Sequence, residues 1–285
     1  MANKFLKAEK LFGLIGHPVG HSMSPVMHND QFERLELPYF YHAFDVAPGE
    51  LKEAVKGMRS LGFSGFNVTV PHKVEVMQYI DEINEEAQMI GAVNTVVNTN
   101  GKWIGYNTDG KGYVESLLSK TGKKLHDYNI LVIGAGGAAR AVVTSLYRYG
   151  VKSLAITNRT ISKAEDINKN LKEGPGVEIL NKEEAEQKTN HYDLIINTTS
   201  IGMAPDINTT PWKTEALKSG CLCSDLIYNP LKTTWLKEAE NMGADTLNGV
   251  GMFVGQGAVA FELWTGIWPD IERMTDIVLE ELGRK

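Results

Sequence analysis

The segment Ile130-Leu-Val-Ile-Gly-Ala-Gly-Gly-Ala-Ala-Arg140 decides the fold of the central part of this chain. Four apolar residues run directly into a glycine-rich turn, and a helix-like pattern follows at once. A strand that turns tightly into a helix presents free backbone N–H groups and a positive dipole end to an anion. The spacing of Gly134, Gly136 and Ala139 fits the Gly-x-Gly-x-x-Ala pattern of dinucleotide-binding folds. The segment therefore predicts a pyrophosphate-binding turn at the start of a Rossmann-type domain.

The end of the next predicted strand indicates which dinucleotide the turn accepts. Residues 151–157 are strand-like, and Asn158-Arg159-Thr160 follows them. Proteins that bind NAD usually place Asp or Glu there, roughly 20 residues after the glycines, to hold the ribose 2′-hydroxyl. An arginine and a hydroxyl group suit a 2′-phosphate instead, so the sequence predicts NADP as the cofactor.

The composition is that of a globular protein and excludes several classes of partner. The 285 residues, 42% hydrophobic and 22% charged, suffice for two domains of ordinary size. A net charge of −6 creates no field that would attract nucleic acid or an anionic membrane. Residues 1–10 lack the apolar stretch of a secretory signal, and no run of about 18 apolar residues follows. The only cysteines, Cys221 and Cys223, predict buried thiols, so we expect a cytoplasmic protein with no nucleic-acid or membrane partner.

Strand-like and helix-like stretches alternate along the chain and predict an α/β protein with two domains. We predict an N-terminal substrate-binding domain with a mainly parallel sheet over residues 1–110. A doubly wound Rossmann-type domain is predicted over residues 111–248. Residues 249–285 have the pattern of two helices that are separated near Trp268-Pro269.

Three local features are predicted from turn and cap chemistry. Thr99-Asn100-Gly101 indicates a hairpin between two strands. Ser24 before Pro25 predicts an N-cap with proline at the first helical position. Ser162 and Glu165 have the spacing of a capping box at the start of another helix.

Polar residues gather where strands of the first domain are predicted to end, which is where open α/β sheets bind ligands. These residues are Ser22, Ser24, Asn67, Thr69, Lys73, Asn94 and Asp109. Two hydroxyl groups beside a helix N-terminus, as at Ser22 and Ser24, suit a carboxylate. Simpler roles remain open, because Ser24 and Asp109 can each cap a helix and most lysines are solvated surface charges.

An amine and a carboxylate that reach the same oxygen suit the reduction of a ketone by hydride transfer. Such a reaction needs a group that stabilises or protonates the developing alkoxide. Lys73 and Asp109 are the candidates for this pair. The histidines are not spaced with cysteines or carboxylates as metal ligands are, so no metal site is predicted.

These clusters occur in an order that resembles the shikimate dehydrogenase family over about residues 11–266. The matching segments are Gly16-His-Pro-Val-Gly-His-Ser-Met-Ser-Pro-Val-Met-His-Asn29, Asn67-Val-Thr-Val-Pro-His-Lys73, Gly91-Ala-Val-Asn-Thr95, Asn107-Thr-Asp109, Gly134-Ala-Gly-Gly-Ala-Ala-Arg140, Asn158-Arg-Thr160, Asn197-Thr-Thr-Ser-Ile-Gly-Met203, Asp225-Leu-Ile-Tyr-Asn-Pro230 and Gly251-Met-Phe-Val-Gly-Gln256. Each segment alone is a weak indication, whereas the ordered set is highly specific.

The resemblance implies a reversible reaction of aromatic amino-acid and chorismate biosynthesis, in which 3-dehydroshikimate and NADPH give shikimate and NADP⁺. It implies that Lys73 and Asp109 are the catalytic pair. Ser22 and Ser24 would hold the substrate carboxylate, with Thr69 and Tyr228 nearby. The ring hydroxyl groups would be bound by Asn94, Asp109 and Gln256, and Asn67 belongs to the same predicted substrate site.

The resemblance also assigns the cofactor site and the position of the tail. The residues implied at the pyrophosphate are Gly134, Ala135, Gly136, Gly137 and Ala138; those around the 2′-phosphate are Asn158, Arg159, Thr160 and Lys163; those beside the nicotinamide are Leu226, Gly249 and Met252. The C-terminal helices would return to the first domain, which brings Gln256 to the substrate. Lys163 stands where an arginine is common in the family, and a lysine supplies a point charge without a planar fork.

Two alternatives remain open at the level of the sequence. One is a quinate/shikimate dehydrogenase that uses both NAD and NADP. The other is an NADP-sensing regulator without catalysis, which the glycine turn alone would permit. The expected oligomeric state is a monomer or a homodimer.

Overall fold

The computed structural model describes residues 9–122, 125–171 and 176–283. Within them the chain forms two compact units. Unit 1 comprises residues 9–108 and 256–283, and unit 2 comprises residues 109–255. The predicted division at residues 110 and 248 stays a prediction, and its terminal residues 1–8 and 284–285 lie outside the described residues.

Unit 1 contains a six-stranded mixed sheet. Its strands are β1 (Lys10–Gly16), β2 (Tyr39–Asp45), β3 (Gly65–Val68), β4 (Glu82–Ile83), β5 (Thr95–Thr99) and β6 (Lys102–Tyr106). The order across the sheet is β2-β1-β3-β5-β6-β4, with β5 antiparallel to both neighbours. The hairpin between β5 and β6 turns through Asn100 and Gly101, both with positive φ, so the hairpin prediction is confirmed.

The antiparallel strand gathers the polar strand ends of unit 1 at one edge of the sheet. Asn67 near the end of β3 pairs with Thr95 at the start of β5, and Thr95 pairs with Tyr106 at the end of β6. The helices of this unit are α1 (Ser24–Arg34), α2 (Leu51–Ser60) and α3 (Glu85–Ile90). The apolar faces of α2 and α3 bury a core that includes Phe66, Val96 and Trp103.

Unit 2 contains a six-stranded parallel sheet. Its strands are β7 (Asn129–Ile133), β8 (Ser153–Thr157), β9 (Glu178–Leu180), β10 (Leu194–Asn197), β11 (Leu222–Asp225) and β12 (Asp245–Leu247). Counted from β7, the order across the sheet is 3-2-1-4-5-6, which is the doubly wound order of dinucleotide-binding domains. The fold class predicted from the sequence is confirmed.

The remaining helices cover the second sheet and complete the first unit. They are α4 (Asp109–Thr121), α5 (Gly137–Tyr149), α6 (Ile161–Asn170), α7 (Lys182–Gln187), α8 (Thr234–Asn241), α9 (Val250–Thr265) and α10 (Ile271–Gly283). Helix α9 begins in unit 2 and ends in unit 1. In unit 1 the Trp264 indole N–H of this helix donates to the Val96 carbonyl oxygen at 3.1 Å. Among the described residues, no helix is both long and apolar enough to cross a membrane.

Two predicted helix caps are wrong. Met23 is the N-cap of α1 and already has helical dihedral angles, so Ser24 is the first residue inside the helix and does not cap it. Helix α6 begins at Ile161, which places Ser162 inside its first turn, where no capping box forms. The capping box of unit 2 lies at α7 instead, between Asn181 and Glu184. The predicted buried thiols are confirmed, because Cys221 and Cys223 are both free and buried.

Candidate active site

The turn before α1 brings two serine hydroxyl groups together. Ser22 Oγ donates to Ser24 Oγ at 3.2 Å, and the Ser24 backbone N–H donates to Ser22 Oγ at the same distance. Ser24 is buried and begins α1, so its hydroxyl lies in the first turn of the helix. This arrangement of hydroxyl donors at a helix N-terminus is suited to a carboxylate.

The segment that follows β3 places Thr69 and Lys73. Thr69 is fixed by its backbone N–H, which donates to the Ile15 carbonyl oxygen of β1 at 2.9 Å. Lys73 is half-buried, and its carbonyl oxygen accepts from the Val93 N–H at 2.7 Å. The neighbouring His72 is fully buried, and its Nε2 lies 2.7 Å from the Val46 carbonyl oxygen. Lys73 is therefore attached through the backbone to the residue before Asn94.

Asn94 is the centre of a buried polar network in unit 1. Its Oδ1 accepts from the backbone N–H of Thr108 at 2.8 Å, and its Nδ2 donates to Thr108 Oγ1 at 2.9 Å. The same Nδ2 lies 3.4 Å from Oε1 of Gln256, in α9. Asn67 joins through its Nδ2, which donates to Thr95 Oγ1 at 3.0 Å. The structure thus brings together three predicted substrate residues, Asn67, Asn94 and Gln256.

Asp109 and Tyr228 belong to unit 2, and the other predicted substrate residues belong to unit 1. Asp109 is buried and is the first residue of α4. Tyr228 follows β11, and its ring packs on that of Phe253 in α9 with centroids 4.4 Å apart. Both are held by secondary structure of unit 2.

The glycine turn lies at the carboxyl end of β7, where the strand order of unit 2 reverses. Gly134 has φ +113°, and a Cβ there would lie 2.5 Å from Thr198 Oγ1. Gly136 precedes α5, and a Cβ on it would meet no atom within 4 Å. The first glycine therefore makes the turn possible, while the second leaves open space beside the N–H groups that begin α5. A pyrophosphate fits this cradle, which Ala135, Gly137 and Ala138 complete.

The end of β8 presents the cations predicted for a 2′-phosphate. Arg159, Thr160 and Lys163 are exposed, and Asn158 Nδ2 donates to the Thr160 carbonyl oxygen at 2.8 Å, which shapes the turn. Neither Arg159 nor Lys163 makes a side-chain hydrogen bond or ion pair with another described residue. Two cations without a counter-charge in the described chain fit a phosphate monoester.

A buried carboxylate, missed by the sequence analysis, organises the strand ends next to this turn. Asp225 Oδ1 accepts from Asn197 Nδ2 at 3.0 Å and from the Ile227 N–H at 3.1 Å, and its Oδ2 accepts from Thr233 Oγ1 at 2.9 Å. Burial raises the pKa of the Asp225 carboxyl to about 6, although these three donors favour its charged form. The motif from Asp225 to Pro230 was visible in the sequence, but nothing local indicated these partners.

The residues predicted beside the nicotinamide lie around the loop that Asp225 holds. The Leu226 N–H donates to the Asn197 carbonyl oxygen at 3.0 Å, and the Gly249 N–H donates to that of Ile227 at 3.0 Å. A Cβ on Gly249 would lie 2.0 Å from the Leu226 carbonyl oxygen, so only glycine fits there. Met252 is buried in the core of unit 2. Among the described residues, no group of histidine, cysteine, aspartate and glutamate side chains is arranged to hold a metal ion.

Known proteins match this chain over most of its length. Family models match at residues 14–96 (shikimate dehydrogenase substrate binding domain), 116–216 (shikimate / quinate 5-dehydrogenase) and 249–279 (shikimate 5′-dehydrogenase C-terminal domain). A shikimate dehydrogenase (NADP⁺) of Geobacillus kaustophilus (strain HTA426) is 50% identical over 276 residues, which cover 97% of this chain and 100% of the relative.

Solved structures agree as well. A shikimate dehydrogenase in complex with NADP⁺ superposes with a TM-score of 0.89 at 47% identity and covers 96% of both chains. The enzyme of Thermus thermophilus, in complex with NADP(H) and shikimate, gives a TM-score of 0.85 at 35% identity over 95% of this chain and 99% of that one.

Proposed function

This chain belongs to the shikimate dehydrogenase family, and we propose that it is the NADP-dependent oxidoreductase that interconverts 3-dehydroshikimate and shikimate on the route to chorismate and aromatic amino acids. One observation carries the proposal best. Unit 1 presents a buried set of hydroxyl and amide groups beside a lysine, and this suits a small polyhydroxylated acid.

The substrate is bound by groups of opposite hydrogen-bonding character. Ser22 and Ser24 donate to the carboxylate. Asn67, Asn94 and Gln256 offer both donors and acceptors, as ring hydroxyl groups require. Thr69 and Tyr228 border the same substrate, and Asp109 accepts from a hydroxyl group. Residues 249–285 form the third predicted segment, whose role is to supply Gln256.

The cofactor is held by groups of unit 2. The residues Gly134 to Ala138 bind its pyrophosphate through backbone N–H groups. Asn158, Arg159, Thr160 and Lys163 bind the 2′-phosphate, and Leu226, Gly249 and Met252 border the nicotinamide. When bound, NADPH supplies the hydride that reduces the substrate carbonyl carbon.

The chemical contribution of the chain lies with Lys73 and Asp109. As the carbonyl carbon is reduced, negative charge develops on its oxygen, and the Lys73 ammonium stabilises that charge and donates a proton to it. Asp109 orients the reacting hydroxyl group and, in the reverse direction, favours the departure of its proton. Since Lys73 Nζ is the donor, removing it leaves both ligand sites in place but slows the reaction.

A matrix of initial rates with shikimate or quinate and NADP⁺ or NAD⁺, followed by the near-ultraviolet absorbance of the reduced cofactor, tests this function. We expect the highest kcat/KM for shikimate with NADP⁺. The match to a shikimate / quinate family model makes quinate the relevant competitor, and equal values for the two substrates would favour the broader enzyme. Tight NADP⁺ binding without turnover of either acid would instead identify a sensor.

We further propose a cytoplasmic enzyme that is a monomer or a homodimer and has no nucleic-acid or membrane partner. The negative net charge supports the last point. Light scattering coupled to size-exclusion chromatography distinguishes the two oligomeric states.

A further inference from the structure

Tyr41, in the middle of β2, holds the side chain of a predicted substrate residue, Asn67. The tyrosine is fully buried. Its hydroxyl donates to Asn67 Oδ1 at 2.7 Å. No sequence motif singles out Tyr41, because it has the appearance of an ordinary aromatic strand residue.

The number of hydrogen atoms available fixes the direction of each bond. A phenol has one O–H, and Tyr41 gives it to Asn67 Oδ1. The Asn67 amide is thereby oriented with its oxygen toward Tyr41 and its Nδ2 toward the Asn94 carbonyl oxygen at 3.2 Å and Thr95 Oγ1 at 3.0 Å. A reversed amide would place its oxygen against the Asn94 carbonyl oxygen, an acceptor against an acceptor.

A continuous hydrogen-bonded path results within unit 1. It runs through Tyr41, Asn67, Thr95, Asn94 and Gln256. Tyr41 is the donor at the start of the path, and the Asn94 and Gln256 amide groups are at its end. Phenylalanine would fill the same space but would break the path at this point.

The surroundings of Tyr41 hold its hydroxyl in place. The backbone N–H and carbonyl oxygen of Tyr41 bond the Asn29 side chain at 2.9 and 2.8 Å. The ring stacks on His28 with centroids 4.6 Å apart, and His28 is itself fully buried. Since ring and backbone are both fixed, the hydroxyl position is set before any ligand arrives.

We propose that Tyr41 is a positioning residue for the substrate, which orients the Asn67 amide toward the ring. The inference rests on the proposed function, since it concerns the same substrate. Tyr41 is buried behind Asn67 and acts through it without contacting the reacting atoms. Its loss should weaken the binding of shikimate, because unordered donors must then be arranged at the expense of binding energy.

The test compares Y41F with Y113F. Tyr113 is the matched control, because it is also a buried tyrosine whose hydroxyl donates to a serine, Ser224, at 3.1 Å, but it lies in unit 2. We expect Y41F to raise both the KM for shikimate and the Kd, measured by calorimetry without cofactor, by about 10-fold. We expect kcat to change by less than about 3-fold and the Kd for NADP⁺ to stay constant. Y113F should leave the shikimate values unchanged.

A second comparison asks whether Tyr41 acts through Asn67. In an N67A background the Y41F substitution should raise KM by clearly less than in the wild type, which is the mark of coupled residues. Should Y41F fail to fold, T95V removes the hydroxyl on the other side of the Asn67 amide and gives the same readout.

The outcomes separate the two claims. A wild type that neither binds nor turns over shikimate overturns the proposed function, and the role of Tyr41 with it. Normal turnover by the wild type together with an unchanged shikimate Kd in Y41F, or in T95V if that variant must decide, overturns the positioning role alone. Equal rises in Y41F and Y113F also overturn it, because they would reflect a general loss of stability.

Discussion

The two units each order their strand ends with a buried polar network, but only one of the networks is charged. In unit 1, Tyr41, Asn67 and Asn94 are linked through neutral hydroxyl and amide groups. In unit 2, Asn197 and Thr233 converge on the carboxylate of Asp225, which is fully buried. Both networks fix the positions of strand ends, one through neutral groups and the other through a carboxylate.

The difference concerns whether a buried negative charge is compatible with the anion that each unit is proposed to bind. A carboxylate behind Ser22 and Ser24 would repel the carboxylate that is proposed to bind there, whereas neutral hydroxyl and amide groups would not. Under the proposed function, unit 2 would bind its anionic cofactor through backbone N–H groups and exposed cations, so a carboxylate held behind its strand ends is compatible with binding. The Tyr41–Asn67–Asn94 network of unit 1 should therefore respond less to pH than the Asp225 network of unit 2.

Replacing Lys73 with alanine should have the largest effect on activity. The variant should still bind the substrate through the neutral network of unit 1, but it should no longer catalyse the reaction efficiently. We expect turnover to fall by about 10²–10⁴-fold, because a proton donor and a charge are lost together. The Kd values for shikimate and NADP⁺, measured by calorimetry, should change far less. Lys56, an exposed residue of unit 1 paired with Glu53 at 2.9 Å, is the control, and K56A should keep full activity. Normal turnover by K73A would show that Lys73 takes no part in the reaction.

The ionisation of Asp225 should make the free energy of unfolding depend on pH. Burial raises the folded pKa of its carboxyl to about 6, above an unfolded value of about 3.9. The folded state therefore binds this proton more tightly, and its contribution, on the order of 3 kcal/mol, is present at low pH and is lost as the pH rises through about 6. In urea unfolding across this range, the free energy of D225N should lack that loss.

Asp193 provides a control of opposite sign in the same unit. Burial raises the pKa of its carboxyl, but the Lys218 ammonium and the Asn129 donors outweigh burial and lower it overall. Its stabilising contribution is therefore present at neutral pH and is lost as the pH falls through the folded pKa. D193N should thus differ from the wild type most at neutral pH, and parallel curves for D225N and D193N would contradict the comparison.

Two glycines of unit 2 should separate stability from cofactor binding. G134A strains a residue with φ +113° and crowds Thr198, so we expect a loss of about 1–3 kcal/mol in stability. G136A has open space for its methyl group and should cost less than about 1 kcal/mol. It should nevertheless weaken NADP⁺ binding by about 10-fold, since the methyl group enters the space for the pyrophosphate. Thermal unfolding and calorimetry measure the two effects, and tight NADP⁺ binding by G136A would place the pyrophosphate elsewhere.

The exposed cations of unit 2 should have the smallest effect, limited to the choice of cofactor. R159Q should lower kcat/KM for NADP⁺ by about 10-fold and leave that for NAD⁺ unchanged, since a charge-assisted bond to the 2′-phosphate is lost. K163Q should lower it by only about 3-fold, because a lysine in solvent contributes a screened point charge. Equal losses with both cofactors would show that these residues do not bind the 2′-phosphate.

The sequence predicted what depends on local pattern. Local pattern predicted the glycine turn, the hairpin at Asn100 and the polar strand ends. Each of these features depends on neighbouring residues whose backbone geometry is restricted. The short edge strands β4 and β12 carried too few residues to show a period. The capping box failed at Ser162, where the helix had already begun one residue earlier.

The contacts of the buried residues Tyr41 and Asp225 could not be predicted from one sequence. Tyr41 and Asn67 are 26 positions apart, and Asp225 and Asn197 are 28 apart, so their contacts depend on sheet register. Nothing in the residues next to Tyr41 indicates where its hydroxyl finds its acceptor. The identity of candidate ligands could therefore be predicted, but not the residues that orient them.

Unit 1 is built from two separate segments of the chain, and this affects its folding during synthesis on the ribosome. Phe12 of β1 packs against Trp264, with ring centroids 4.9 Å apart, and Arg273 bonds Asp30 of α1 at 2.7 Å. All residues of unit 2 leave the ribosome before these two partners do, and domains generally fold as units during translation. The nucleotide-binding unit can thus be finished while the other still exposes Phe12 and its neighbours. We therefore expect the growing chain to expose an apolar surface around Phe12 until α9 and α10 have been synthesised.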